Sequence, residues 1–284
     1  MKLSFSNNAF VHFSVFEAVE RIAAIGFQGV EILADAPHLY PYSTSRTDLD
    51  RLRKTLDRTG LRTASINANT AVGFYGRDFW EPLFEPSIAN PDPFMRKWRV
   101  DYTKICIDMA TALNCDHVSI TSGRPVPGTD PRKGLELLAS SLDDILTYAQ
   151  KHQVKVGMEY EPGLLIENLE DLSTLMNRFD SPHFGANLDL GHSHVAGEDP
   201  EAVVLRLSSR IFHVHLEDIR SRKHYHLIPG TGDMDIPGIL RILTGAGYGG
   251  FVTLELYTYP HQPEDAAKRS MEYMVSIMTP SGRT

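Results

Sequence analysis

Hydrophobic and polar positions alternate between two periods along the whole chain. Short runs that switch side every second residue predict strands, and the stretches between them, apolar at every third or fourth position, predict amphipathic helices. A strand at residues 2–8 is followed by Ser14-Val-Phe-Glu17, a capping box opening a helix that ends near Gly26. Next come a strand at 29–34, a charged helix at 47–59 closed by Gly60, and a strand at 61–69 with Thr63, Ser65, Asn67 and Asn69 on one parity. The pattern continues as helix 94–113, strand 117–122, helix 131–152, strand 155–161, helix 168–179, strand 184–190 and helix 200–207. It ends as strand 211–217, helix 236–246, strand 251–257 and helix 263–278. Eight strand–helix units imply a parallel sheet with right-handed crossovers, and in one compact body they imply a closed (β/α)8 TIM barrel. An open doubly wound sheet would need a glycine-rich phosphate turn after an early strand, and Asn7-Asn-Ala-Phe10 is not one.

The segment at about 70–93 departs from this rhythm. It is rich in glycine, proline and aromatic residues, and it is long for a connection without regular structure. That length suits an active-site lid or an interface loop. Phe74, Tyr75, Phe79, Trp80, Phe84, Phe94 and Trp98 cluster in or just after it, as a wall over a bound molecule or as an oligomer contact. No composition break marks a linker, so the expectation is one domain over residues 1–284.

Composition narrows the classes. An apolar fraction of 42% supports a real core. A formal charge of −8 gives no basic footprint, so no nucleic-acid partner is expected. Two cysteines, Cys106 and Cys115, exclude a disulfide scaffold and suit a reducing, cytoplasmic setting. Neither a signal peptide nor a membrane-spanning stretch is read, and a two-fold homo-oligomer is the default assembly.

The chemistry lies in the last four strands. One parity holds Val156, Met158, Leu188, Leu190, Val214, Leu216, Val252, Leu254 and Leu256. The other holds Gly157, Glu159, Asn187, Asp189, His213, His215, Thr253 and Glu255, placing ionisable groups on a face expected to be apolar. Burying several charges together is costly unless they are paired or hold a metal. Glu159, Asp189, His215 and Glu255 fall late in strands five to eight, where such barrels carry functional groups. Three carboxylates and an imidazole suit one divalent cation, Mn²⁺ or Mg²⁺ foremost, with Co²⁺ or Zn²⁺ also compatible. The competing reading is structural ion pairing, for example His215 with Asp218.

These residues resemble the xylose-isomerase-like TIM-barrel superfamily of sugar phosphate isomerases and epimerases. It includes ketose 3-epimerases, inosose isomerases and dehydratases, hydroxypyruvate isomerases and, more distantly, endonuclease IV. The matching segments are Met158-Glu-Tyr-Glu-Pro162, Asn187-Leu-Asp-Leu-Gly-His192, His213-Val-His-Leu-Glu-Asp218, Pro229-Gly-Thr-Gly-Asp233 with Asp235, and Gly247-Tyr-Gly-Gly-Phe-Val-Thr-Leu-Glu255. The resemblance implies that Glu159, Asp189, His215 and Glu255 hold one divalent metal ion. It also implies that Glu159 and Glu255 are the catalytic acid/base pair and that His192 touches a substrate oxygen. Ketose 3-epimerases carry an arginine six residues past the metal histidine. Ser221 stands there, between Arg220 and Arg222, so that specificity does not carry over directly.

The expected activity is therefore a metal-dependent isomerase or epimerase acting on a sugar, ketose or cyclitol. Glutamate-mediated proton transfer would run through a metal-stabilised cis-enediolate. A keto-polyol dehydratase would use the same groups, and a phosphodiesterase of the endonuclease IV kind would want more metal ligands and a DNA-binding surface. Among secondary features, Glu161 is either a substrate contact or a rim salt bridge. His213 is expected to bond to a neighbouring strand and orient the ligands. Arg220, in the basic run 220–226, is a candidate for gripping a substrate phosphate or carboxylate, against the alternative of a solvated loop. Pro229-Gly-Thr-Gly is a turn without the lysine of a nucleotide loop.

Overall fold

The computed structural model describes residues 1–76 and 83–278. Eight strands close into a parallel barrel: β1 (Lys2–Ser6), β2 (Gly29–Leu33), β3 (Arg62–Asn67), β4 (His117–Thr121), β5 (Lys155–Glu159), β6 (Phe184–Asp189), β7 (Ile211–Leu216) and β10 (Phe251–Leu254). They pair in the order β1-β10-β7-β6-β5-β4-β3-β2, and β2 returns to β1. Helices on the outside start where local chemistry permits. Ser14 and Glu17 form the capping box of α1 (Val15–Ile25), and Ser45 with Asp48 does the same for α2 (Arg46–Thr59). Asp92 and Asp130 cap α3 (Pro93–Ala112) and α4 (Pro131–His152), each with proline in the first turn. The remaining helices are α5 (Leu169–Arg178), α6 (Leu190–Ala196), α7 (Pro200–Leu207), α8 (Ile236–Gly245) and α9 (Pro263–Met278).

The two strand faces are segregated more sharply than the sequence suggested. Val30, Ile32, Ile66, Val118, Ile120, Val156, Met158, Leu188, Val214, Leu216, Val252 and Leu254 are buried and belong to the apolar core, on the parity turned toward the helices. The opposite parity fills the lumen, and it is largely polar. His117 stacks on His213 with centroids 5.1 Å apart, His213 Nε2 lies 2.8 Å from Thr253 Oγ1, and Thr253 bonds Ser4. His117 Nδ1 meets Ser65 Oγ at 2.9 Å, and Asn187 donates to Ser119 Oγ at 2.8 Å. Barrels of this kind are usually filled by branched apolar side chains. Here hydroxyl, amide and imidazole groups bond one another instead, leaving His117 Nε2 and Asn187 Oδ1 without a partner among the described residues. The four acidic and imidazole residues are therefore not exceptions on an apolar face; they are the upper end of a polar column. Gly157 makes room for it, since a Cβ there would come within 2.4 Å of His117 Nε2.

One helix, α6, and one hairpin escape the sequence reading. The strands read to 161 and 257 stop at Glu159 and Leu254, and the one read to 190 gives way at Asp189 to α6. The basic run, weighed as a solvated loop, forms the antiparallel hairpin β8 (Asp218–Arg220) and β9 (Lys223–Leu227). Its turn residues Ser221 and Arg222 have φ of 55° and 53°. Hairpin turns of that geometry are usually announced by Asn-Gly or Asp-Gly, so this one carries no sequence signal. Asp218 does not pair with His215. It is buried and accepts from the backbone N–H groups of Gly230 (2.9 Å), Gly232 (2.8 Å) and Met234 (3.2 Å), which shapes the Pro229-Gly-Thr-Gly turn.

The long segment after β3 begins under a similar clasp. Asp35 accepts from Thr70 Oγ1 (2.6 Å) and from the N–H groups of Val72 and Gly73 (both 2.7 Å). Phe74 and Trp98 meet edge to face at 4.7 Å, Phe94 is exposed, and the expected Phe79 and Trp80 lie outside the described residues. No helix among the described residues is long and apolar enough to cross a membrane.

Removing the Asp218 carboxylate strands several buried N–H donors at once. Asp218→Ala should cost about 2–4 kcal/mol in urea unfolding, the range for charged hydrogen bonds lost from a buried site. Asp218→Asn, which keeps one acceptor oxygen, should cost less.

Candidate functional site

Strand ends place the key groups. Glu159 and Asp189 are the last residues of β5 and β6, His215 is the penultimate residue of β7, and Glu255 follows β10 directly. Register sets Asp189 beside His215 and His215 beside Thr253. Glu159, Asp189 and Glu255 are 2%, 1% and 6% exposed and His215 is fully buried, and one ligand atom from each lies within 4.8 Å of the others. His215 Nδ1 is 3.4 Å from Glu159 Oε2, 3.6 Å from Glu255 Oε2 and 3.9 Å from Asp189 Oδ2.

Around this group sits a set of orienting partners, most of which the sequence reading passed over. Glu31, on β2, accepts from His215 Nε2 at 2.7 Å across the lumen. A proton on Nε2 serves that contact and leaves Nδ1 facing the three carboxylates, the arrangement by which a carboxylate fixes a ligating imidazole. Glu31 stands in Val30-Glu-Ile-Leu33, an apolar strand with one charge, so the signal used for strands five to eight was present there too. Glu159 Oε2 is held by the amides of Asn69 (2.7 Å) and Asn187 (2.6 Å) and by Ser119 Oγ (3.2 Å). Glu255 Oε1 is held by the amides of Asn8 (2.9 Å) and Asn67 (3.1 Å). Each glutamate thus has one anchored oxygen and one turned elsewhere.

The charge balance is uneven. Burial pushes the Glu255 carboxyl up, and Glu159, Glu31 and Asp189 add to the rise against the opposing effect of His215. Burial also works on Glu159, but the charge and hydrogen bond of His215 overcome it and hold that group below the usual range. Burial lowers His215, yet Glu31, Glu255 and Glu159 raise it well above an ordinary imidazole. Asp189 Oδ2 and both oxygens of Glu217 are buried without a hydrogen-bond partner among the described residues. Glu217 fits only because residue 191 is glycine, whose Cβ would collide with the Glu217 carboxylate.

A cavity of about 570 Å³ opens above the group. Glu159, Glu255, Asn67 and Asn69 lie on its polar side, and Val72, Phe84 and Pro260 contribute an apolar wall. Glu161 and His192 line it, as do His224 and His226 of the hairpin. His192 is raised to about 9: burial depresses it, and Asp189, Glu161 and Glu159 more than offset that. Burial lowers His224 to about 4 and His226 to about 3. His213 lies below, bonded to the neighbouring strand at Thr253. Arg220 is not in the lining; it is exposed, and its guanidinium donates to the Thr231 carbonyl.

Comparison with known proteins identifies the family of the chain. The family profile described as Xylose isomerase-like TIM barrel matches residues 19–277. Fructoselysine 3-epimerase of Shigella flexneri is 23% identical over 259 residues, covering 89% of this chain and 90% of that protein. Inosose dehydratase of Clostridium beijerinckii is 24% identical over 277 residues, covering 91% and 88%. The crystal structure of IOLI protein with a binding zinc atom superposes with a TM-score of 0.80 at 18% identity, covering all of both chains.

Glu161 offers a pH test. Burial first, with Glu159 and Asp189 adding to it, raises its carboxyl from 4.5 to about 7. The folded chain then binds that proton more tightly than the unfolded one. The group's stabilisation is whole below about pH 4.5 and is lost as pH rises through 7. In metal-free protein, Glu161→Gln should melt with wild type near pH 4.5 and at a higher temperature above pH 7, followed by circular dichroism.

Proposed function

This chain belongs to the xylose isomerase-like TIM barrel family, and on that premise we propose that it is a divalent-metal-dependent sugar isomerase or epimerase. Its substrate in this reading is an unphosphorylated sugar, ketose or cyclitol. The observation that carries the reading is the pair Glu159 and Glu255, buried together at the cavity floor, each with one oxygen tied to amide or hydroxyl donors. The amide nitrogens only donate, so they hold one oxygen of each carboxylate in place and leave the other oxygen available for proton transfer.

The donor set fits a cation. Three carboxylates and one imidazole converge with a single basic group among them, and Asp189 Oδ2 is buried without a hydrogen-bond partner. Glu159, Asp189, His215 through Nδ1, and Glu255 would hold the ion. Carboxylate-rich ligation suits Mn²⁺ or Mg²⁺, and the zinc of the IOLI structure makes Zn²⁺ or Co²⁺ compatible as well. When bound, such an ion supplies Lewis acidity that stabilises negative charge developing on a substrate oxygen.

The chain's own groups carry the proton. One glutamate removes the hydrogen from a carbon next to a carbonyl. The other delivers a proton to the opposite face of that carbon, giving epimerisation, or to its neighbour, giving isomerisation. His192 lies on the cavity wall, and in this reading it meets a substrate oxygen. Among the described lining residues there is no lysine or arginine, which supports a substrate without phosphate. Arg220, turned to Thr231, is left out of the substrate site. The absence of lysine and arginine from the described lining, with a net charge of −8, weighs against a phosphodiesterase of the endonuclease IV kind.

The resemblance to inosose dehydratase favours one second reading, loss of water from a keto-polyol at the same pair. NMR in deuterated water on a panel of ketoses and inososes separates the two. Deuterium entering at carbon without loss of water is the expected outcome, and an unsaturated product would give the dehydratase. Glu255→Gln should lower kcat by about 10²–10⁴-fold with an unchanged circular dichroism spectrum, the range for loss of a general acid/base. Wild-type turnover in that variant would end the assignment of Glu255.

A further inference from the structure

Helix α3 sends a cation into the interior. Arg99 is only 2% exposed, and its guanidinium donates to three successive carbonyls, those of Ala68, Asn69 (2.7 Å) and Thr70 (2.6 Å). Neutral carbonyls are weak compensation for a buried charge, so this arrangement is costly. The same stretch of chain is gripped from its other pole. Asp35, fully buried just beyond β2, accepts from the Thr70 hydroxyl and from the N–H groups of Val72 and Gly73. Carbonyl oxygens face the cation and N–H groups face the anion. Residues 68–73 therefore lie in a clamp with one charge at each jaw.

The clamped segment carries the donors of the cavity floor. Asn67 and Asn69 stand two positions apart at the end of β3, on one face of extended chain. The Asn69 amide donates to Glu159 Oε2 at 2.7 Å. The Asn67 amide donates to Glu255 Oε1 and to Glu31 Oε1, each at 3.1 Å, and its oxygen accepts from the Asn69 N–H at 3.2 Å. Both proton-transfer glutamates, and the carboxylate that sets His215, are thus tied to one short piece of backbone. Asn187 also holds Glu159 Oε2, at 2.6 Å, but from β6, outside the clamp.

We propose that Arg99, opposed by Asp35, is a positioning residue for the site. By holding the carbonyls of residues 68–70 it sets Asn67 and Asn69, and through them the separation of Glu159 and Glu255 around the bound cation. Arg99 is not among the residues lining the cavity and acts only through the chain it holds. This deepens the proposed function and rests on it for the roles of the two glutamates. If Arg99 only satisfied carbonyls at a strand end, its loss would lower stability without singling out the two asparagine side chains.

The test uses the full-length, metal-stripped chain with isotope-labelled asparagine, read by NMR. In Arg99→Gln the side-chain amide hydrogens of Asn67 and Asn69 should exchange with water about tenfold faster, the mark of local opening, while those of Asn187 keep their wild-type rate. Arg99→Lys, which keeps the charge and reaches fewer carbonyls, should fall between. Calorimetry with Mn²⁺ and with Zn²⁺ then gives the consequence. Affinity should drop about tenfold in Arg99→Gln, within the range for groups that orient metal ligands. Adding Arg99→Gln to Asn67→Ala and Asn69→Ala together should weaken binding no further. If Arg99→Gln does not fold by circular dichroism, Arg99→Lys and Asp35→Asn, which loosens the opposite jaw, take its place. Equal acceleration at Asn187, or none at Asn67 and Asn69, overturns the proposal. An unchanged affinity in Arg99→Gln overturns it too, as does the same loss of affinity with both asparagines absent. A wild-type chain that binds neither ion ends the cation reading of the proposed function instead, and the exchange pattern still decides the clamp.

Discussion

Negative charge buried around one imidazole governs this structure. Glu31, Glu159, Asp189, Glu217 and Glu255 are all nearly or fully buried at one end of the barrel, with His215 among them. Such a collection is unfavourable in a low-dielectric interior unless hydrogen bonds, protons or a cation compensate it. Much of the surrounding architecture supplies that compensation. Asparagines from three different strand ends or loops donate to Glu159 and Glu255, and Glu31 sets the imidazole. Serine, threonine and histidine fill the lumen beneath in place of the usual branched apolar residues. The hydrophobic core is displaced outward, between strands and helices, where it holds the barrel together.

The same constraint explains why the mouth is built from short, tightly tied pieces. Asp189 ends β6 and caps α6 through the His192 N–H at 2.7 Å, so one side chain links the buried cluster to the helix bearing the first cavity histidine. Asp218 ties the start of β8 to the Pro229-Gly-Thr-Gly turn, and the hairpin that follows carries His224 and His226 over the cavity. Glu217, between His215 and Asp218, is buried, and burial together with Asp189 raises its carboxyl well above the usual range. An end of the barrel so crowded with carboxyl groups has little use for another anion, in keeping with a neutral substrate.

Local sequence was sufficient wherever the decisive interaction is local. Capping boxes at Ser14 and Ser45, proline in the first turn of α3 and α4, and period-two strands gave the barrel its elements and order. It was less informative at strand ends. Glu255 reads as late in a strand running to 257 but lies beyond the last ladder position, because the parallel pairing runs out at Leu254. The hairpin of β8 and β9 was illegible for a different reason: Ser221 and Arg222 adopt positive φ without glycine or asparagine to signal it.

By itself, the sequence determined the parity on which each charged residue falls and its place near a strand's end, since both follow from a two-residue period. Glu159, Asp189, His215 and Glu255 were legible on that ground. Only the closed barrel decided which side chains meet. Glu31 bonds His215 across the lumen although 184 positions separate them. Asn8 reaches Glu255, 247 positions away, and His192 meets His224 from a different element. Ring closure and register create those contacts, and no local periodicity encodes a distance across a barrel.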